Sequence, residues 1–326
     1  MAQQAELADS TLFYSGELER KMILGEAIGL RAYMQFDLLR IYAPSPAMNP
    51  GNQTFIPYIN TYPAYVSNRE AVSYCLEQTI KDLKRAQELL LEVDKSANWR
   101  DRFEEGKNDE TLFWASRGFR LNYYAVTAEL GSVYICMLVC RMRLTSRLRL
   151  LFSKTVFLLR LRTERTALEA LREGNVKMYD DIIFALYSPK DLVEWDRVIN
   201  HRNDKSEGSG KKNYFLGITS AIASERYGSD LTTDWRIRYQ MEKKNYNDYC
   251  SMKYYQQPDS YKYSGINNVI IPMFRMSEVY YIAAEAIYQT DLDKAKEYLK
   301  TVKKSRGLDV DLEDVTASQF MAMLVK

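Results

Sequence analysis

The side chains best equipped to recognise a ligand in this sequence are its aromatics. Tyr58, Tyr62, Tyr65, Trp235 and Tyr239 follow no amphipathic period, so helix packing does not account for them. An aromatic ring offers a flat apolar face, and tyrosine adds a hydroxyl at its tip, which suits wet, polar ligands. A sugar ring lays its C–H face on such a surface while nearby amides and charges take its hydroxyls. Four of them, Tyr62, Tyr65, Trp235 and Tyr239, are the candidate carbohydrate-binding residues. The chain has 25 tyrosines among 326 residues, so much of this supply is structural. Tyr33, Phe36, Tyr123, Tyr124, Tyr280 and Tyr281 lie in helical segments and are expected between helices.

Other chemistry is sparse. His201 is the single histidine, which excludes a multi-histidine metal site and leaves one residue for a Ser-His-Asp relay. It lies in a charged loop and is expected to be exposed. Cys75, Cys136, Cys140 and Cys250 give one C-x3-C and no C-x2-C, so no zinc ribbon is readable and buried free thiols are expected. The carboxylate pairs Glu104/Glu105 and Asp180/Asp181 read as solvated faces, and a glycosidase pair needs a spatial separation that sequence does not give. Phosphate-binding glycine loops, H-E-x-x-H and G-x-S-x-G are all missing. No catalytic residues, cofactor or metal are expected. Lys+Arg 45 against Asp+Glu 43 gives a net charge of +2, which argues against a strongly basic nucleic-acid surface.

These residues need a scaffold. The length, about twice the soft prior of roughly 150 residues per domain, allows two domains or one elongated domain of repeated units. The 46% hydrophobic fraction supports a sizeable core. Residues 17–42 predict one long helix, with apolar or small residues at Ile23, Ala27, Leu30, Met34, Leu38 and Ile41, ended by Pro44 and Pro46. A proline-rich loop runs to about Val66, and its interleaved aromatics favour an ordered loop. Ser67-x-x-Glu70 reads as a capping box opening a helix over 68–92, with Val72, Leu76, Ile80, Leu83, Ala86 and Leu90 on one face. A third helix is expected from about 111 to 140 and a short one over 164–172. Residues 180–188 predict a short buried strand or extended segment ended by Pro189. Helical order resumes at Pro272, an N1-type proline, with a pair over 273–289 and 291–305 turning at Thr290–Asp291 and stopped by Gly307. Ala283, Ala284, Ala286 and Ala295 are placed for the close packing of a tetratricopeptide-type pair. A last helix begins at Thr316. The fold class is mainly α, with helix pairs about 17–172 and 270–326 packed against an irregular, loop-rich portion at about 173–269.

Residues 130–163 stand apart. They carry seven Lys or Arg (141, 143, 147, 149, 154, 160 and 162) and no acid. A basic membrane-surface helix, a hairpin with a basic face, and a local reading-frame error in the coding sequence are the three readings. No run of 18 uncharged apolar residues predicts a spanning helix, and the N-terminus has no basic or apolar leader.

The segment GEAIGLRAYMQFDLLRIYA (25–43) resembles the signature helix of the SusD/RagB family of outer-membrane nutrient-binding lipoproteins. FIPYI (55–59), IKDLKRAQELL (80–90), LNYYAVTAELGSVYI (121–135) and IIFALYS (182–188) follow in the family's order. VIIPMFRMSEVYYIAAEAI (269–287) with LKTVKKSRGL (299–308) is similar to its late helix pair. The first and last motifs are the specific ones.

The resemblance implies one SusD-like domain over 1–326. It implies a cell-surface lipoprotein that caps a SusC-like TonB-dependent porin and delivers oligosaccharides, or in some members peptides, to it. It implies no enzymatic activity, no nucleic-acid partner, and membrane attachment only through a lipid anchor. The missing leader and lipidation cysteine, and the stop at Lys326, read as truncation. Family ligand residues vary, so none is carried over. The second reading is a tetratricopeptide scaffold that binds peptide in a helical groove lined by Asn, Lys and Arg. An enzyme of carbohydrate breakdown is the third.

Overall fold

The computed structural model describes residues 1–64, 66–96, 117–138, 164–188, 190, 193–196, 217–243, 248–255, 257, 260, 262 and 264–325. It is mainly α-helical and falls into two compact units. One is Met1–Leu159 with Glu285–Ile287; the other is Arg160–Ala284 with Tyr288–Lys326.

The first unit is organised by two long helices. A short α1 (Ala2–Leu7) precedes α2 (Gly16–Tyr42), which packs on α3 (Val72–Ser96). Lys21–Glu92 and Arg31–Asp82 ion pairs fix the two as antiparallel. Their approach is close because α2 presents glycine. A Cβ on Gly25 would lie 2.8 Å from Leu90 Cγ, and one on Gly29 would lie 2.6 Å from Leu121 Cδ2. The buried residues of α2 are Met22, Leu24, Gly25, Ile28, Gly29, Ala32, Gln35, Phe36 and Leu39. The apolar row picked out from the sequence is a different set, and its C-terminal end is open: Met34, Leu38 and Ile41 are 57%, 45% and 70% exposed. The helix is apolar on both sides, so periodicity alone did not identify the inner face.

The second helix begins later than the capping box suggests. Glu70–Ala71 form strand β2, paired antiparallel with β1 (Thr54–Ile56), and α3 starts at Val72. The backbone that would have capped the helix is used in pairing with the proline-rich loop. Val72, Leu76, Leu83, Ala86 and Leu90 are buried as expected. Next, α4 (Tyr123–Leu138) packs on α3 and is capped by Asn122, whose Oδ1 accepts from Ala125 N at 2.9 Å. Arg117, fully buried, is matched by Asp94 at 2.8 Å and by Glu26. That pairing is what makes a buried guanidinium tolerable. Residues 139–163, the bulk of the basic stretch, and His201 lie outside the described residues.

The second unit starts with α5 (Glu164–Arg172) and β3 (Ile182–Tyr187). Strand β4 (Gly217–Ile218), α6 (Ser220–Tyr227), α7 (Trp235–Gln240), β5 (Met241–Lys243), β6 (Tyr249–Ser251) and α8 (Ser264–Asn267) follow, all short. Strands β4, β6 and β5 form a small antiparallel sheet in that order. Strand β7 (Ile270–Arg275) pairs antiparallel with β3, Ala185 opposite Pro272. Pro272 is thus a strand residue, not the first residue of a helix. Among the described residues β3 and β7 pair only with each other, and proline is tolerated in such an edge strand.

The late pair is α9 (Met276–Ile287) and α10 (Leu292–Lys304), joined at Asp291, whose carboxylate accepts from Lys294 N at 3.1 Å. Tyr280 and Tyr298 meet edge to face at 5.8 Å, and Ala283, Ala284 and Ala295 are buried. Gly307 terminates α10 with φ +78°. Leu308 N bonds Lys303 O and Gly307 N bonds Lys304 O, both at 3.0 Å, which is the Schellman pattern. Helix α11 (Ala317–Val325) opens with a reciprocal cap: Thr316 N donates to Gln319 Oε1 at 2.9 Å, and Gln319 N donates back to Thr316 Oγ1.

Candidate functional site

The proline-rich loop is ordered by α2 and α3, and the bonds that hold it also shape a cleft. Arg31 of α2 donates to Asn60 O at 3.1 Å, and Gln35 donates to Ile59 O at 3.2 Å. Tyr58 donates its hydroxyl to Asp82 Oδ2 at 2.8 Å. The same carboxylate accepts from Arg31 Nε at 2.8 Å. Burial, then the neighbouring Asp82 charge, push the Tyr58 hydroxyl well above its usual range, so it stays protonated and remains a donor. The loop then passes α1, where Tyr62 N donates to Gln3 Oε1 at 3.3 Å.

Between these elements lies a groove of about 330 Å³. Ala2, Gln3 and Glu6 of α1 form one wall and Asn60 and Thr61 of the loop another. Helix α3 contributes Gln78, Lys81, Asp82 and Arg85, and α2 contributes Ile28 and Arg31. Positions 78, 81, 82 and 85 have the i, i+3, i+4, i+7 spacing of one helix face. All of these residues belong to the first unit. The volume is that of a small-ligand pocket. The walls carry amides, a hydroxyl and charges around the apolar Ala2 and Ile28, a set that can grip several hydroxyls at once.

Of the residues selected from sequence, Tyr62 stands beside this groove. It follows the lining residue Thr61 and is 77% exposed, so its ring face is available. Tyr65 lies outside the described residues. Trp235, expected as a ligand-binding residue, is instead buried. It is only 7% exposed and packs with Leu171, Met178 and partly buried Tyr239 in the second unit. It opens α7, whose cap Asp234 accepts from Arg236 N at 2.8 Å, and its own backbone N–H donates to Arg306 O at 3.0 Å. Its indole lies directly over Gly307. Its two faces are covered by protein, so it presents no stacking platform; a six-residue helix is too short to show a period in sequence. Tyr239 is half-buried on the same cluster, with the Arg238 guanidinium 5.4 Å from its ring centre. Trp235 and Tyr239 are therefore neighbours, and Tyr62 belongs to the other unit.

The groove residues Gln3, Arg31, Gln78, Lys81 and Arg85 were not singled out from sequence. The polar face of an amphipathic helix is ordinarily solvated, so the spacing on α3 carried no distinguishing signal.

The second unit has a buried polar centre of its own. Asp181 accepts from Ser277 N at 2.9 Å and Ser277 Oγ at 3.0 Å, and pairs with Arg306. Burial pushes its carboxyl up, but Arg306, Arg275 and the Ser277 N–H outweigh burial and hold it below the usual range. Lys177 is buried with Nζ donating to Ile270 O at 2.7 Å and to Asn267 O. Burial, aided by Arg275, lowers it to about 7. Among the described residues, no group of three or more His, Cys, Asp or Glu is placed to hold a metal, and no helix is long and apolar enough to cross a membrane.

Residues 6–104 match a family model described as starch-binding, associating with the outer membrane, and residues 209–320 match the SusD family model. No curated protein matches the chain. Among solved structures, a SusD-like carbohydrate binding protein from Bacteroides vulgatus is similar over 99% of this chain and 62% of its own, at 16% identity and TM-score 0.65. A SusD superfamily protein from Bacteroides thetaiotaomicron is similar over 99% of this chain and 66% of its own, at 18% identity and TM-score 0.64. Surface glycan-binding protein A from Bacteroides uniformis is similar over 98% of this chain and 66% of its own, at 14% identity and TM-score 0.58. The chain thus spans just under two thirds of the length of these relatives. With related family models matching both its N-terminal and its C-terminal portion, and a mainly α-helical fold shared with SusD-like structures, the chain belongs to the SusD/RagB family.

Proposed function

We propose that this protein binds oligosaccharide at the groove between α1, α2, α3 and the proline-rich loop, with Tyr62 as the stacking face. It acts at the outer membrane, on the cell surface and held by a lipid anchor, and passes its ligand to a SusC-like TonB-dependent transporter. The role is capture and release without turnover. The observation that carries the reading is the pairing of an exposed tyrosine with a groove rich in amides and charges, in a chain whose relatives include named glycan-binding proteins. An open groove suits a ligand that has to be handed on. Tyr239 is kept as a secondary candidate.

One observation favours the peptide reading: Arg31, Lys81, Arg85 and Asn60 line a cleft between helices, a composition that also suits a peptide. Titration calorimetry against a panel of neutral and acidic oligosaccharides and short peptides separates the two. Saccharide binding that weakens in Tyr62→Ala supports the proposal. Peptide binding alone would replace it, and cleavage of a bound saccharide would refute a pure binding role. Co-purification with a SusC-like transporter tests the delivery step.

A further inference from the structure

The charges in the groove do not cancel. Five ionisable residues line it: Arg31, Lys81 and Arg85 against Glu6 and Asp82. Both carboxylates are already engaged. Asp82 holds Arg31 at 2.7 Å, and Glu6 holds Arg85. Lys81 makes no ion pair or hydrogen bond with any described residue, although Glu77 stands one turn before it on α3. The side chains of Asn60, Thr61 and Gln78 likewise make no hydrogen bond with described residues. The groove therefore offers one uncommitted cation surrounded by uncommitted neutral donors, over the buried apolar Ile28.

Resting on the saccharide reading above, we infer that the groove takes a carboxylate-bearing sugar, a uronic acid unit, with its carboxylate on Lys81. A neutral sugar would leave the ammonium paired only with water and hydroxyls. A uronate supplies the anion, and a charge-assisted hydrogen bond is about twice as strong as a neutral one. The ring hydroxyls fall to Asn60, Thr61 and Gln78, and the ring face to Tyr62. The paired carboxylates of Glu6 and Asp82 keep acceptor capacity for further hydroxyls and do not repel the ligand as free charges would.

The test compares short oligouronates, of galacturonate, glucuronate and mannuronate type, with their own methyl esters by calorimetry on the full chain. Esterification removes the charge and little else. We expect at least one free acid to bind about ten-fold more tightly than its ester, the scale of one charge-assisted hydrogen bond. The preference should shrink to within about two-fold in Lys81→Met. It should also shrink when salt is raised from about 0.05 M to about 0.5 M, because screening weakens an exposed pair. Lys81 is exposed, so its loss does not threaten the fold. Neutral saccharides binding as tightly as acids would overturn this inference and leave the binding reading standing. A preference that persists in Lys81→Met would place the anion elsewhere and overturn it too. Tri-glutamate binding more tightly than every saccharide would overturn both.

Discussion

Trp235 as a packing residue has a measurable consequence at Gly307. Replacing Gly307 with alanine introduces two separate faults. The backbone there is left-handed, φ +78°, which costs an L-residue roughly 1 kcal/mol. The new Cβ would also overlap the indole, 2.6 Å from Cδ1 and nearer still to Nε1 and Cε2. Neither partner can yield easily. Trp235 is boxed in by Leu171 and Met178, and its backbone N–H is bonded to Arg306 O beside the glycine. Overpacking of this kind costs about 1–3 kcal/mol, so the sum is about 2–4 kcal/mol. Two other glycines separate the terms. Gly51 has φ +61° and open space, so Gly51→Ala should cost only about 1 kcal/mol from backbone strain. Gly29 is helical with ordinary φ but would press on Leu121, so Gly29→Ala sets about 1–3 kcal/mol of clash against about 1 kcal/mol of improved helix propensity. Urea unfolding followed by circular dichroism gives the order Gly307→Ala, then Gly29→Ala and Gly51→Ala. A loss under about 1 kcal/mol in Gly307→Ala would show that the indole does not rest on this glycine, and the core assignment of Trp235 would fall.

Other outcomes follow from the same geometry. Asp82→Ala strands Arg31 and Tyr58 together and should cost about 2–4 kcal/mol, whereas Tyr58→Phe removes one bond and should cost about 1 kcal/mol, both read by urea unfolding. Tyr62→Ala should leave the unfolding midpoint unchanged, because the side chain is 77% exposed, while weakening saccharide binding by about 1–3 kcal/mol, by analogy with base stacking. Lys177 titrates near 7 when folded and near 10.5 when unfolded, so between those values the unfolded chain holds the extra proton and stability rises with pH. Lys177→Met should flatten that rise in unfolding curves taken from pH 7 to 10; an unchanged slope would mean that Lys177 keeps its proton in the folded protein.

The helices were legible because their punctuation is local. Pro44 and Pro46 after α2, Asp291 before α10 and Gly307 after it each act within one turn, and each fell where expected. Errors arose where distant chain decided. Ser67–Glu70 looks like a cap until β1 arrives to pair with Glu70, and Pro272 looks like a helix start until β3 lies beside it. The inner face of α2 depended on where glycines admit Leu90 and Leu121, which hydrophobicity does not encode. For the site, sequence supplied the exposed tyrosine at 62 but not the groove beside it. Glu6, Arg31, Asn60 and Lys81 are unremarkable surface residues until three helices and a loop bring them around one cavity. Trp235 went the other way, since a large aromatic between polar residues looks like a ligand platform and is in fact a core side chain.

Saccharide capture at this groove is tested most directly by a crystal structure of this protein soaked with the tightest-binding oligosaccharide from the calorimetric panel. A sugar ring is expected in the groove between α1, α2 and α3, stacked on Tyr62 and within hydrogen-bond distance of Lys81, Gln78 or Asn60. A saccharide bound anywhere else, with this groove filled only by water, would contradict it.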